Sequence, residues 1–106
     1  MNSHQLIDQG NTLRSQDDYS GALACYAQVF VNDPNDIHAW NNYGNVLREI
    51  GEPLRAKPFL EHAIALNPDF VHANFNLAIA NLLAGDYTAG FKGYEWRWRY
   101  EHLDGT

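Results

Sequence analysis

Histidine is the residue type that first raises the question of chemistry in this sequence, because three histidines recur at one spacing. His4, His38 and His72 follow one another at intervals of 34 residues. Imidazole is the commonest metal ligand in proteins and titrates near neutral pH. However, no two of the five histidines stand at metal-ligand spacing beside an acidic or cysteine partner. On successive helical layers, about 8 to 10 Å apart, the three would also be too distant to share one ion. We therefore predict no metal site and place these histidines at a solvent-exposed rim.

The other residue types that could support catalysis also lack partners. Cys25 and the serines have no pattern of bases or acids near them, and no glycine-rich loop follows a strand-like segment. The sequence thus predicts no catalytic residue, no cofactor site and no enzyme within these residues.

A repeat of 34 residues determines where these side chains must lie. In each copy, apolar residues recur at helical spacing, a turn follows, and a second periodic segment comes before the next copy. Gly10, Gly44 and Ala78 hold the same place, where two helices cross closely, so their small size is a packing requirement. Pro58 predicts a kink or a loosened first turn in its helix. We predict six antiparallel helices in three hairpins, over residues 3–16, 19–32, 37–50, 53–66, 71–84 and 87–101.

This pattern resembles the tetratricopeptide repeat (TPR), a helical hairpin of 34 residues, over nearly the whole chain. The likeness rests on Trp40, Tyr43, Gly44, Leu47, Ala56, Leu60, Ala63 and Pro68 and on their counterparts one repeat away. It implies an all-α fold of three stacked TPR hairpins in a short right-handed solenoid. We treat residues 1–106 as one domain, with repeats at about 3–36, 37–70 and 71–104.

In a TPR superhelix the first helix of each hairpin lines the concave face, and here that face would be largely polar. The positions concerned carry amides and one carboxylate: Asp8, Asn11, Asn41, Asn42, Asn45 and Asn76. An amide both donates and accepts hydrogen bonds, so a row of amides can bind the backbone of an extended peptide of any sequence. The alternative is that asparagine only solvates exposed helix faces. Because asparagine is a poor helix former, we favour the peptide groove. This row looks like the asparagine ladder of O-GlcNAc transferases, matched here by Asn11, Asn42, Asn45 and Asn76.

The third repeat makes part of the same face apolar. Phe75 and Ile79, followed by Leu82 and Leu83, suit a hydrophobic side chain of a ligand or a packed helix. Core packing against a following element is the alternative.

A second TPR comparison concerns domains that clamp the C-terminal carboxylate of chaperones with lysine and arginine beside asparagines. Asn11 and Asn42 match that pattern, but Ile7, His72 and Asn76 stand at the basic positions. A clamp of this kind is therefore not expected.

The segment 85–99 resembles the last repeat of bacterial TPR proteins in which the array leads into a glycosyltransferase-like domain. The likeness lies in Tyr94-Glu95-Trp96-Arg97-Trp98-Arg99. Two functions follow from the resemblances. The first is a protein–protein interaction scaffold that binds an extended peptide or partner segment in the concave groove. The alternative is an N-terminal structural or substrate-positioning module of a larger bacterial glycosyltransferase-type protein.

Composition narrows the range of partners. The chain has 106 residues, a net charge of -6 and a single cysteine. The negative charge disfavours a nucleic-acid partner, and Trp96 and Trp98 point in different directions on a helix, so they cannot form one stacking platform for bases. With no apolar N-terminal segment and no membrane-length apolar run, we expect a cytoplasmic protein without a membrane partner.

The C-terminal helix predicts self-association. No polar capping helix follows the third hairpin in this sequence, so Phe91, Tyr94 and Trp98 should stay partly open. A few such residues from each of two chains could support a homodimer. The alternative is a monomer in which these aromatic side chains fold back on their own repeat.

Overall fold

The chain folds into helices connected by short turns, as a computed structural model describing residues 1–102 shows. There are no strands among these residues. The helices are α1 (Ser3–Ser15), α2 (Tyr19–Asn32), α3 (Ile37–Glu49), α4 (Pro53–Leu66), α5 (Val71–Leu83), α6 (Tyr87–Gly93) and α7 (Trp96–Glu101). They pair as α1–α2, α3–α4 and α5–α6 hairpins, and each hairpin packs on the next. The predicted all-α stack of three hairpins is confirmed, and the last two positions of the predicted third repeat, 103 and 104, lie outside the described residues.

Aspartate side chains cap the start of three helices, α2, α3 and α6. Asp18 accepts a hydrogen bond from the Gly21 amide at 3.0 Å, and Asp86 accepts one from the Ala89 amide at 3.1 Å. Asp36 does the same for the start of α3. Each carboxylate satisfies a first-turn N–H group and faces the positive end of the helix dipole. The second helix of the first hairpin begins at Tyr19, where the sequence predicted it to start.

The turn inside each hairpin uses one left-handed residue. Asp17, Gly51 and Gly85 have φ angles of 62°, 88° and 87°, and they stand one repeat apart. This conformation costs glycine little, whereas a side chain at Cβ is strained in it. The first turn is therefore built with a less suitable residue than the other two.

Close helix crossing explains the small residues at the equivalent positions 10, 44 and 78. A Cβ atom on Gly10 would lie 2.5 Å from the Tyr26 ring, and one on Gly44 would lie 2.7 Å from Leu60 Cγ. Ala78 is buried against Gly93. The predicted packing role of these residues is confirmed.

The core lies between the two helices of each hairpin and between successive hairpins. Around Leu47 and Leu60, both fully buried, Ala56 and Ala80 join the second repeat to the third. An aromatic cluster seals the boundary of the first two repeats, with Phe30 stacked on Trp40 at a centroid distance of 4.0 Å. No helix within residues 1–102 has the length and apolar character needed to cross a bilayer.

One local prediction is wrong, and another is wrong in part. The sixth helix is not continuous to residue 101, because α6 ends at Gly93 and α7 starts at Trp96. At the break, the Arg97 amide bonds to the Tyr94 carbonyl at 2.9 Å, a tight three-residue turn that redirects α7 towards α5. In contrast, α4 runs unbroken through Pro58, and its first turn is closed by the Ala56 amide on the Glu52 carbonyl at 3.1 Å. The loosened first turn, one of the two outcomes expected from Pro58, is therefore absent, and the other, a kink, stays a prediction.

Candidate functional site

The first helices of the three hairpins form one continuous layer. Helix α1 contacts α3, and α3 contacts α5. We call the face of this layer that carries the predicted polar groove residues the first-helix surface; these residues are Asp8, Asn11, Asn41, Asn42, Asn45 and Asn76. It carries the side chains that the sequence assigned to a groove, and the structure now shows how each is held.

Two of the predicted groove asparagines bind each other. Asn76 Nδ2 donates to Asn41 Oδ1 at 3.1 Å, which joins α5 to α3. Their exposed fractions are only 7% and 5%. A buried amide needs such a partner, since leaving it unpaired costs about 1 to 3 kcal/mol. Asn41 and Asn76 thus form a fixed polar floor between two repeats instead of projecting freely.

The other predicted polar residues are more open. Asp8 and Asn11 are exposed, while Asn42 and Asn45 are half-buried. Asn11 Oδ1 accepts a bond from the Tyr26 hydroxyl at 2.5 Å, which leaves its NH2 group for a second partner. Asn42 Oδ1 accepts a long bond from Asn41 Nδ2 at 3.5 Å, and Asn45 donates to Glu49 Oε1 at 3.4 Å and accepts from Arg48 Nη2. These side chains stand at successive positions along the first-helix surface.

Helix α7 covers Phe75, one end of the apolar part of the predicted groove, whereas Leu83 is 60% exposed. The Tyr100 ring stacks on Phe75 with centroids 4.5 Å apart and an interplanar angle of 14°. Its edge also meets His72 at 5.5 Å. Ile79 is half-buried on the same helix. Phe75 therefore packs against a later segment of the same chain, as the core-packing alternative required.

An ion pair that the sequence reading missed joins the first two repeats. Arg14 Nε donates to Glu49 Oε2 at 3.0 Å, and a second bond runs from Nη2 to Oε1. The hydrogen bond to Glu49 raises the pKa of the Arg14 guanidinium. With Asn11, Ser15 and Asp17, this pair lines an open cleft of about 320 Å³. A signal was present, because both Arg14–Glu49 and Asn41–Asn76 span 35 residues, one repeat plus one helical step.

Arg48 is a further residue that the sequence did not single out. It stands one repeat after Arg14 and donates from Nη2 to Asn45 Oδ1 at 2.5 Å. Its Nε is buried without a hydrogen-bond partner among the described residues, and burial lowers the pKa of the guanidinium. This cation is held in place by an amide but not neutralised by a bonded carboxylate.

The three periodic histidines lie at the surface, as predicted. His4 contacts Asp8 at 3.3 Å, and His38 meets the edge of Phe70 at 5.7 Å. Burial lowers the pKa of His72, and nearby His38 adds to this shift. Within residues 1–102, no three histidine, cysteine or acidic side chains come together in a way that could hold a metal ion.

The C-terminal aromatic residues divide into open and covered ones. Phe91 and Trp98 have exposed fractions of 67% and 66%. Tyr94 is half-buried, with the Arg97 guanidinium 5.4 Å from its ring centre. Trp96 is half-buried under Arg99, so the two tryptophans do not share one face.

Comparisons with known proteins support the repeat assignment. Residues 37–70 match the family model described as a tetratricopeptide repeat. The chain is 30% identical over 78 residues to the peroxisomal targeting signal receptor of Kluyveromyces lactis, which covers 74% of the chain and 14% of the receptor. It is 32% identical over 76 residues to the protein O-mannosyl-transferase TMTC1 of Mus musculus, covering 72% of the chain and 8% of that protein. The chain thus spans a small part of the relatives that it matches.

A solved structure confirms the fold. The first TPR of Spaghetti (RPAP3), bound to the HSP90 peptide SRMEEVD, superposes with a TM-score of 0.85 at 22% identity, over 89% of this chain and 76% of that one. At this identity the likeness concerns the fold alone. Residues 37–70 thus match a tetratricopeptide repeat, and the hairpins on either side share the fold of that repeat and its 34-residue spacing.

Proposed function

We propose that the protein is a protein-interaction module that binds an extended peptide or partner segment on the first-helix surface. The observation that carries this proposal is the row of amides supplied by successive first helices. Asn11, Asn42 and Asn45 are open or half-buried there, above the fixed floor of Asn41 and Asn76. An extended backbone offers a donor and an acceptor at every residue, and amide side chains match both.

The fold supports the same proposal. The Spaghetti domain named above was solved with a peptide bound, and the second TPR of that protein was also solved with SRMEEVD, with a TM-score of 0.85 to this chain. Repeat arrays present broad surfaces without needing a deep pocket. An open polar surface suits a peptide better than a small molecule, which normally needs an apolar enclosed site.

Amide substitution tests this function. Asn42→Ala removes a donor and an acceptor and, within the fold, a long bond of 3.5 Å from Asn41 Nδ2, so it should weaken binding about fivefold, in line with about 1 kcal/mol for a net hydrogen bond. Binding is measured by fluorescence anisotropy on an array of capped peptides of varied sequence. Gln28→Ala is the matched control, because Gln28 is an exposed amide on the second helix α2. If the unmodified protein, Asn42→Ala and Gln28→Ala all bind with equal affinity, the amides are not part of the binding site.

The alternative function is a structural or substrate-positioning module of a larger glycosyltransferase-type protein. The match to an O-mannosyl-transferase over 8% of its length favours keeping it, as does the segment 94–99. Under this proposal the reading frame continues into a catalytic domain. Sequencing the gene downstream of residue 106 separates the two, since a stop codon there removes the enzyme from the alternative.

We also propose that Phe91 and Trp98 allow two chains to associate, with Tyr94 as a half-buried neighbour along the chain. Both side chains are open, and burying one aromatic residue contributes roughly 1.5 to 3 kcal/mol. Sedimentation equilibrium at micromolar concentration should show a dimer that Trp98→Glu dissociates. A monomer mass throughout that range would refute the homodimer, and Val31→Glu, at another exposed apolar residue, is the matched control.

A further inference from the structure

Arg48 faces the side of α3 that lies next to α5. Asn41, Asn45 and Arg48 follow one another at i, i+4 and i+7, so they share one face of the helix. Asn41 bonds to Asn76 of α5, which fixes the direction of that face. Arg48 therefore belongs to the first-helix surface, between the polar first two repeats and the apolar third repeat.

The bonding of Arg48 differs from that of three other arginines, and also from that of the exposed Arg99, whose guanidinium lies 4.4 Å from the centre of the Trp96 ring. Arg14 pairs with Glu49, Arg55 with Glu52, and Arg97 with Glu101. Within the described part of the chain, Arg48 has no carboxylate partner of this kind, and its one hydrogen bond goes to the neutral amide of Asn45. A guanidinium has five N–H donors, so most of the hydrogen-bonding capacity of Arg48 is not used by the fold.

The electrostatic surroundings leave Arg48 under-compensated. Burial lowers its pKa, which means that the protein withdraws water from the cation. The adjacent charge of Glu49 partly offsets this lowering of the pKa, but both oxygens of Glu49 are bonded to Arg14. A partly desolvated cation without its own counter-ion is costly, and a bound anion offsets that cost. The equivalent positions in the flanking repeats cannot replace it, because Arg14 is already paired and Leu82 is apolar.

We propose that Arg48 is a carboxylate-binding residue for the ligand on the first-helix surface, with Asn45 holding the guanidinium in place. This inference rests on the proposed function and adds a preference for an acidic peptide. The carboxylate belongs either to an acidic side chain or to the peptide C-terminus. The net charge of the chain, -6, repels an acidic peptide. A preference for such a peptide must therefore come from a local cation and not from the electrostatic field of the whole chain.

Matched peptides test the preference. The probes are SRMEEVD and its glutamine counterpart SRMQQVD, each with a free or an amidated C-terminus, and binding is measured by calorimetry. A charge-assisted hydrogen bond is roughly twice as strong as a neutral one, so the unmodified protein should bind the better carboxylate form about tenfold more tightly than its amide counterpart. Loss of affinity in SRMQQVD assigns the side chains, and loss on amidation assigns the C-terminus.

Substitution then assigns the preference to one residue. In Arg48→Gln the tenfold difference should disappear, and in Arg48→Lys most of it should remain. Arg55→Gln is the control, because Arg55 is an exposed arginine on α4 and its loss should leave the difference unchanged. Thermal unfolding of each variant checks that the fold is intact.

A readout without substitution completes the test. In a ¹⁵N NMR titration, the chemical shift of the Arg48 Nε–Hε signal should change when the acidic peptide is added and should not change when the neutral peptide is added. The chemical shift of the Arg55 signal should not change with either peptide. If all four peptides bind with equal affinity, the proposed function stands and the role of Arg48 is refuted. If none binds at millimolar concentration, both proposals fail. A shift at Arg48 with a difference that Arg48→Gln abolishes is the result expected.

Discussion

The second and third repeats share one register but differ in how their helices are covered. In the second repeat, Leu47 and Leu60 are fully buried between neighbours on both sides. At the position of Leu47, the third repeat has Asn81, whose Oδ1 is buried without a partner among the described residues. The second helix of the third repeat is also broken, and its Phe91 is exposed. The repeat period therefore sets the positions of the helices, whereas the neighbouring repeats determine how well each position is packed.

Truncating a leucine in each region should show the largest contrast. Leu60→Ala removes a fully buried side chain and should lower the free energy of unfolding by about 2 to 5 kcal/mol. Leu83→Ala removes a side chain that is 60% exposed and should change it by less than about 0.5 kcal/mol. Urea unfolding measures both. Similar losses would mean that the third repeat is packed as tightly as the second.

Alkaline pH should weaken the first repeat through Tyr26. Burial raises the pKa of this phenol to about 12, from 10.0. Because the folded state holds the proton more tightly, this stability is present below pH 10 and is lost as pH rises to about 12. The loss approaches about 2 to 3 kcal/mol. Urea unfolding at several pH values measures it, and Tyr26→Phe should remove this part of the pH dependence. A wild-type curve that stays parallel to that of Tyr26→Phe would contradict the prediction.

Replacing the buried amide of the third repeat should make it more like the second. Asn81→Leu removes an unpartnered acceptor and should raise the free energy of unfolding by about 1 kcal/mol. The reverse change, Leu47→Asn, should destabilise the protein by more than this amount. Thermal unfolding of both variants measures the difference. If Asn81→Leu is destabilising, its carbonyl has a partner that the protein needs.

The turns offer the smallest expected effect. Asp17 has φ of 62°, where Gly51 and Gly85 stand in the later repeats. Asp17→Gly should therefore stabilise the first hairpin by about 0.5 to 1 kcal/mol, and Gly51→Ala should destabilise the second by about as much. Differential scanning calorimetry can resolve both shifts. An unchanged melting temperature for Asp17→Gly would show that the bond from Tyr19 to Asp17 offsets the strain.

Most of the fold could be predicted because its signals are local. Capping aspartates such as Asp18 and the 34-residue period place α1 to α5 within one residue of their observed bounds. The break before Trp96 could not be placed in this way. It depends on Tyr100 finding Phe75, a contact between residues 25 positions apart, and no pattern within the helix encodes it.

The candidate site could be predicted only in part, because the local repeat pattern places residues on a surface but does not determine their contacts between repeats. The period put the asparagines on one surface, but it could not say that Asn41 and Asn76 bind each other. It also gave no weight to Arg48, whose importance comes from burial and from the pairing of Glu49 with Arg14. Such properties depend on which side chains meet between repeats, and the repeat pattern describes only each repeat by itself.

A titration followed by ¹⁵N NMR tests the central claim most directly. When a binding peptide such as SRMEEVD is added, the side-chain amide signals of Asn42 and Asn45 should shift saturably, together with backbone signals of α1, α3 and α5. The Gln28 amide on α2 should stay in place. Saturable binding with shifts confined to α2, α4 and α6 would contradict the account, because the peptide would then lie on the opposite face of the repeats.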